Sequence, residues 1–339
     1  MSARARVLVF GGAVLALLGC RQILGLDAET VIPQTPTVSS DGVCGHTLQA
    51  QASELPAVTA IVGDAAGVYF ATTDDSHHGG VFRLGSSASL SAGGASAARG
   101  LALDDTYVYW SAGGQDGQAA ELHALRRDGS AAETITPVPG SRVGSIAVDP
   151  TALYYGNAGD DDGGSWKTPL PLDGGAPQLV AGSVGSATYV ATDSTNVYYD
   201  RDMTSVWAAN IFDGGVQQLA TSSVAQITYD NGVVYWSGGG DNELYRWDGG
   251  AAEGFAGVGA GLGIVASGNY AYATDEFGAA SQTLGTLRRV QLDTEDEVTC
   301  VSDLYQAGPI AVVGSTIYFS SQVDDGSGND TYTIWQLSP

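Results

Sequence analysis

The feature that most constrains this chain is a repeat: an apolar stretch, a turn holding Asp, Asn or Gly, and an aromatic strand recur seven times. The clearest units read LALDDTYVYWSAGG (101–114), IAVDPTALYYGNAG (146–159), YVATDSTNVYYDRD (189–202), ITYDNGVVYWSGGG (227–240) and IAVVGSTIYFSS (310–321). Weaker copies are IVGDAAGVYFATT (61–73) and IVASGNYAYATD (264–275). The matching tyrosines are Tyr69, Tyr109, Tyr154, Tyr198, Tyr235, Tyr272 and Tyr318, separated by 40, 45, 44, 37, 37 and 46 residues. That period belongs to a four-stranded propeller blade, so the chain is expected to be all-β, a seven-bladed β-propeller. Six or eight blades are the alternatives.

Each unit divides into four strands. An apolar first strand meets the turn, and a second strand rich in β-branched and aromatic residues follows. A third strand, such as ELHALRR (121–127) or ELYRW (243–247), leads to Asp-Gly at Asp128, Asp173, Asp213 or Asp248. Asp-Gly is a hairpin signal because glycine accepts a positive φ. Glycine occurs 48 times in 339 residues, about twice the usual ~7%, which fits a chain of tight turns. The strands do not alternate cleanly, as expected of blades buried on both faces. The last unit stops after its third strand, TIWQL (333–337), and TLQAQAS (47–53) occupies the fourth-strand position before the first unit. The N-terminal strand is therefore expected to close the ring.

The dipeptides Tyr109-Trp110, Tyr154-Tyr155, Tyr198-Tyr199 and Tyr235-Trp236 give residues 44–339 a pattern that resembles bacterial propellers with Tyr-Trp-Thr-Asp or Tyr-Val-Thr-Asn repeats. Ser-Ala or Ser-Gly stands here where the first of these has Thr-Asp. The aromatics are read as core.

Before the repeats, Arg4 and Arg6 precede a twelve-residue apolar run, Val7 to Leu18. A membrane-crossing helix needs about 20 apolar residues, whereas this run fits the core of a secretory signal peptide. Its end, Leu17-Leu18-Gly19-Cys20, resembles the bacterial lipobox, with Leu18 where a small residue is usual. The resemblance implies that residues 1–19 are cleaved and that Cys20 carries acyl chains, palmitate among them. More than one chain is what stable anchoring requires. Residues 20–43 include VIPQTPTVSSDG (31–42) and show no hydrophobic period. They read as a lipidated flexible tether with a reach of roughly 27 Å. Arg21 is not the aspartate that retains lipoproteins in the inner membrane, so the resemblance implies an outer-membrane or cell-surface location.

The formal charge is −24, and removing Arg4 and Arg6 makes it −26. Nucleic acid and anionic lipid surfaces are therefore poor partners on electrostatic grounds. With Cys20 lipidated, Cys44 and Cys300 remain in an exported, oxidising setting, where pairing is expected. EVTC (297–300) falls on the outer strand of the sixth unit and Cys44 beside the closing strand, so the fold places them on neighbouring blades.

No Gly-x-Ser-x-Gly elbow, His-Glu-x-x-His or phosphate loop is present. Of the four histidines, His46 and His123 fall on strands, while His77-His78 shares a loop with Asp74 and Asp75. The loops joining second to third strands carry Asp74, Asp75, Asp116, Asp160, Asp161, Asp162, Asp200, Asp202, Asp241, Asp275, Glu276, Asp324, Asp325 and Asp330. One face is thus expected to be acidic. It is read either as ordinary solvated loops or as a docking face for a cationic partner. Asp160, Asp161 and Asp162, with Asp324, Asp325 and Asp330, are the candidate ligands for Ca²⁺, a cation that takes clustered hard oxygens. The favoured function is a membrane-tethered, non-catalytic binding or scaffolding lipoprotein. The alternative is a propeller enzyme, lactonase- or lyase-like, with a metal in the central channel; fold alone does not choose between them. A cell-envelope structural protein is the third reading.

Overall fold

The computed structural model describes residues 36–40, 42, 44–45, 47–73, 79–86, 90, 98–113, 120–130, 134–139, 142–158, 163–172, 175–182, 185–239, 243–257, 261–275, 284–324 and 330–339. Among these residues every element is a strand, and none forms a helix long and apolar enough to cross a membrane.

The strands form seven antiparallel sheets, each a blade. The innermost strands are Ala57–Asp64, Leu101–Leu103, Val143–Val148, Val190–Thr192, Gln226–Asp230, Gly261–Ser267 and Ile310–Val313. The second strands, Gly67–Thr73, Tyr107–Gly113, Ala152–Asn157, Asn196–Arg201, Val233–Ser237, Tyr270–Asp275 and Thr316–Asp324, carry the repeated tyrosines. Third strands are Gly79–Arg83, Ala120–Arg126, Gly164–Pro169, Ser205–Asn210, Glu243–Trp247, Gly285–Gln291 and Asp330–Ser338. Outer strands complete blades 2 to 6 at Thr134–Val138, Gln178–Gly182, Val216–Ala220, Glu253–Gly257 and Glu297–Leu304. Blade 7 takes its outer strand from the other end of the chain: Thr47–Leu55 pairs with Asp330–Ser338, from Thr47 opposite Ser338 to Leu55 opposite Tyr332.

The ring is closed. Each innermost strand touches the next around the circle, and that of blade 7 touches that of blade 1. Seven apolar clusters fill the seven gaps between neighbouring blades. Between blades 2 and 3, for example, Tyr109, Leu122 and Ala124 pack on Ile146, Leu153 and Tyr155. Between blades 7 and 1, Ala311 and Ile334 pack on Val58, Ile61 and Phe70. Both faces of each blade are thereby buried, which is why the tyrosine strands read as nearly continuous apolar runs. Across the second and third strands an aromatic pair recurs: Phe70 opposite Phe82, Tyr155 opposite Trp166, Tyr199 opposite Trp207, Trp236 opposite Tyr245, and Phe319 opposite Trp335. Such cross-strand pairs contribute about 0.2–1 kcal/mol each. Blade 6 lacks one, having Ala273 opposite Arg288.

The N-terminal segment does more than close blade 7. Thr37–Val38, within the stretch expected as tether, adds a fifth strand to the outer edge of blade 6. A disulfide then joins Cys44 to Cys300 on that blade's outer strand, with the Cα atoms 5.4 Å apart. Gly45 follows at φ +143°, where a Cβ would lie 2.7 Å from the carbonyl oxygen of Ser338. Only glycine passes between the bond and the closing strand. Val38, Cys44 and Leu48 pack on the apolar cluster of blades 6 and 7.

Candidate binding face

In a ring of antiparallel meanders, the turns joining first to second strands open on one face. The loops joining second to third strands open on the other, together with the links between blades.

On the turn face the sequence carries a spacing with a direct structural meaning. Aspartate stands five residues before the repeated tyrosine in blades 1 to 5. In blade 3, Asp149 accepts hydrogen bonds from the backbone N–H of Thr151 (2.7 Å) and Ala152 (2.9 Å), and from the hydroxyl of Tyr154 (3.0 Å). Asp104 and Tyr109 (2.6 Å), and Asp193 and Tyr198 (2.8 Å), repeat the contact in blades 2 and 4. Burial opposes the charge of Asp149 and of Asp193, but the donated hydrogen bonds prevail and hold both below the usual carboxylate range. Burial, then the aspartate, pushes the hydroxyls of Tyr109, Tyr154 and Tyr198 upward. In blade 1 an arginine bridges the two positions instead: Arg127 of blade 2 pairs with Asp64 at 2.5 Å and donates to the hydroxyl of Tyr69 (3.3 Å). That pair holds Asp64 down to about 2. Tyr109, Tyr154 and Tyr198 are thus turn anchors as well as core.

On the loop face, serine, threonine and glutamine side chains stitch blade to blade where the innermost strands begin. Thr59 donates to the carbonyl of Ala98 (2.6 Å), and Ser111 to that of Gly144 (2.9 Å). Ser145 accepts from Val190 N–H (2.7 Å), Gln226 accepts from Ile264 N–H (2.8 Å), and Thr274 donates to the carbonyl of Gly308 (2.7 Å). These bonds tie five of the seven blade junctions together on the loop face.

The acidic rim is only partly as expected. Asp160, Asp161, Asp162 and Asp325 lie outside the described residues, as do Asp74, Asp75, Asp116, Asp241, Glu276 and Cys20. Asp324 and Asp330 face each other as the last register pair between the second and third strands of blade 7. Two acids expected on the rim are instead buried. Asp200 accepts from the N–H groups of Thr188 (2.7 Å), Tyr189 (2.6 Å) and Met203 (3.0 Å). Burial outweighs those bonds and raises its pKa. Asp275 accepts from the N–H and hydroxyl of Thr286 and pairs with Arg288 (3.2 Å). Both carboxylates bind loop backbone, a role that sequence spacing alone does not separate from surface display. Among the described residues no group of three His, Cys, Asp or Glu is placed to hold a metal. His123 lies on the third strand of blade 2, buried, stacked on Trp110 at 5.0 Å between centroids and 3.3 Å from Glu121.

Apolar side chains also reach solvent. Leu179 and Val216, on the outer strands of blades 3 and 4, and Phe212, on the turn of blade 4, are exposed, Phe212 to 79%. Lys167 of blade 3 donates to the carbonyl of Ile211 (3.1 Å) and ties the two blades together beside Phe212.

No family model matches the chain, and no curated protein matches it. Among solved structures, a computationally designed protein, Ika8, superposes with a TM-score of 0.56 at 14% identity, covering 85% of this chain and 98% of that one. A chain of a nidogen/laminin complex superposes at 0.50, also with 14% identity, covering 75% of this chain and 96% of that one. At that identity the likeness speaks to the fold alone.

Proposed function

We propose that this chain is an exported lipoprotein, held to an outer membrane or cell surface through acylated Cys20, whose propeller is a non-catalytic binding or scaffolding body. The observation that carries the binding part is the exposed apolar edge of blades 3 and 4. Leu179, Phe212 and Val216 stand in solvent on adjacent blades, and protruding aromatic and aliphatic side chains are the anchors of protein interfaces. The anchoring part rests on Leu17-Leu18-Gly19-Cys20 behind a twelve-residue apolar run. The Asp160–Asp162 and Asp324–Asp330 loops are proposed to take Ca²⁺, on the ground of clustered carboxylates in the sequence.

Three measurements test this reading. Fatty-acid labelling should mark the wild type and not Cys20→Ser, and the variant should lose membrane association; equal labelling of both would remove the anchor. Crosslinking in intact envelopes should capture a partner that Phe212→Ser together with Leu179→Ser no longer retains. Millimolar Ca²⁺ near 100 times Kd should raise stability by about 2.7 kcal/mol over chelator. An unchanged melting temperature would leave the loops without structural calcium.

A further inference from the structure

The chain has 13 basic residues, and setting aside Arg4, Arg6 and Arg21 leaves ten in the described part. Eight of the ten meet a carboxylate, an aromatic face or a backbone carbonyl, as Arg127 meets Asp64, Arg201 meets Trp207 and Lys167 meets Ile211. Among the described residues Arg99 and Arg142 are the exceptions. Both stand where the chain leads into an innermost strand on the loop face, in blades 2 and 3.

Several contacts bring them together. The N–H of Arg99 donates to the carbonyl of Ser111 (3.0 Å), and the hydroxyl of Ser111 donates to the carbonyl of Gly144 (2.9 Å), two residues from Arg142. Gly100 lies so close to blade 3 that a Cβ would stand 2.8 Å from the oxygen of Gly144 and 2.9 Å from the nitrogen of Ile146. The carbonyl of Arg142 accepts from Ala158 N–H (2.9 Å), which fixes it at the end of the second strand of blade 3. The Nε of Arg99 is buried and, among the described residues, makes no hydrogen bond. Burial first, and the charge of Arg142 second, hold the Arg99 guanidinium below its ordinary value. Two like charges, one of them with a buried donor left open among the described residues, stand at the loop-face starts of neighbouring innermost strands in a chain of charge −24. An unmet buried donor is costly, and a guanidinium fork matches the oxygens of carboxylate, sulfate or phosphate.

We propose that Arg99 and Arg142 form a binding site for an oxyanion group of a ligand that docks on the loop face between blades 2 and 3. The site rests on the binding reading only in supposing a ligand, and the apolar edge of blades 3 and 4 plays no part in it. Capture through that edge and binding at the arginines can therefore fail separately.

The test is a titration of the folded protein with sodium sulfate, sodium phosphate and sodium acetate, each against sodium chloride at matched ionic strength. The ¹⁵N-labelled arginine Nε–H resonances are followed. At least one oxyanion should saturate. Sulfate or phosphate alone would identify an ester-type group, and acetate alone a carboxylate. Arg142→Gln and Arg99→Gln should each weaken binding by at least about tenfold, the loss of one charge-assisted contact. Arg142 is exposed, so its variant keeps the test readable if Arg99→Gln does not fold. No saturation beyond chloride, or unchanged affinity in Arg142→Gln, would overturn the proposal. So would binding that appears only after Asp160, Asp161 and Asp162 are changed to Asn, because the arginines would then belong to the chain's own carboxylates.

Discussion

Blade 3 and blade 7 reach the same four-stranded sheet from different material. Blade 3 is one continuous stretch, from Val143–Val148 to Gln178–Gly182. Its first turn is held by Asp149, whose carboxylate takes up two backbone N–H groups and the hydroxyl of Tyr154. Blade 7 gathers three strands from the end of the chain and a fourth from Thr47–Leu55. Its first turn needs no carboxylate, because Gly314 supplies φ +60° in a two-residue hairpin. A covalent bond, Cys44–Cys300, holds the borrowed strand in place. Local hydrogen bonding around a charge stabilises one blade, and loop closure across most of the chain stabilises the other. The two should fail under different stresses.

The largest effect is expected from deleting residues 36–55. That removes the partner of Asp330–Ser338, the fifth strand of blade 6 and one half of the disulfide, and leaves a long apolar edge open. Loss of a single cooperative transition in denaturant, with aggregation, is the expected result. Full cooperativity in the shortened chain would mean that blade 7 closes without its borrowed strand.

Next comes Cys44→Ser. The bond spans 256 residues, and the chain-entropy model sets its contribution at no more than about 5.6 kcal/mol. The denaturant midpoint should fall under oxidising conditions and should match that of reduced wild type. Asp149→Ala should cost about 3 kcal/mol, since several donors lose one acceptor in a buried turn. Reductant should not change that cost. A reductant-dependent cost at Asp149 would show that the two blades are coupled rather than independent.

Acid separates them in the opposite direction. Asp149 and Asp193 have folded-state pKa values below those of the unfolded chain. Their contribution is therefore present above about pH 4 and is lost as pH falls through the lower folded values. Asp200, raised by burial, acts with the opposite sign and softens the loss within blade 4. Blade 3 should accordingly loosen before blade 7 on acidification, and Asp149→Asn should flatten the acid limb of the melting curve. The smallest effect is Gly314→Ala, about 1 kcal/mol for the left-handed turn, visible in the midpoint and independent of pH.

The repeat made the ring legible because each blade is local: a tyrosine every 37 to 46 residues, with turn residues at a fixed distance before it. Closure was legible as well, since a blade short of one strand and a spare strand at the other end imply each other. What spacing left open depends on contacts between blades. The carboxylates of Asp200 and Asp275 look like rim charges in sequence and are buried loop anchors in the fold. Thr37–Val38 has no strand pattern of its own and becomes strand only against the edge of blade 6. The five-residue step from aspartate to tyrosine was present in the sequence, and the blade 1 version shows why it is hard to interpret there. Its carboxylate is met by Arg127, 63 residues away.

The central claim is that the segment between the proposed anchor and the first blade closes the ring. Backbone hydrogen exchange of Thr47–Leu55 and Asp330–Ser338 in the oxidised protein tests it most directly. The two strands should share a protection comparable to that between Gly164–Pro169 and Gln178–Gly182 of blade 3, and reduction of Cys44–Cys300 should lower it in blade 7 and not in blade 3. Exchange of Thr47–Leu55 at the rate of an unpaired peptide, with the disulfide intact, would contradict it.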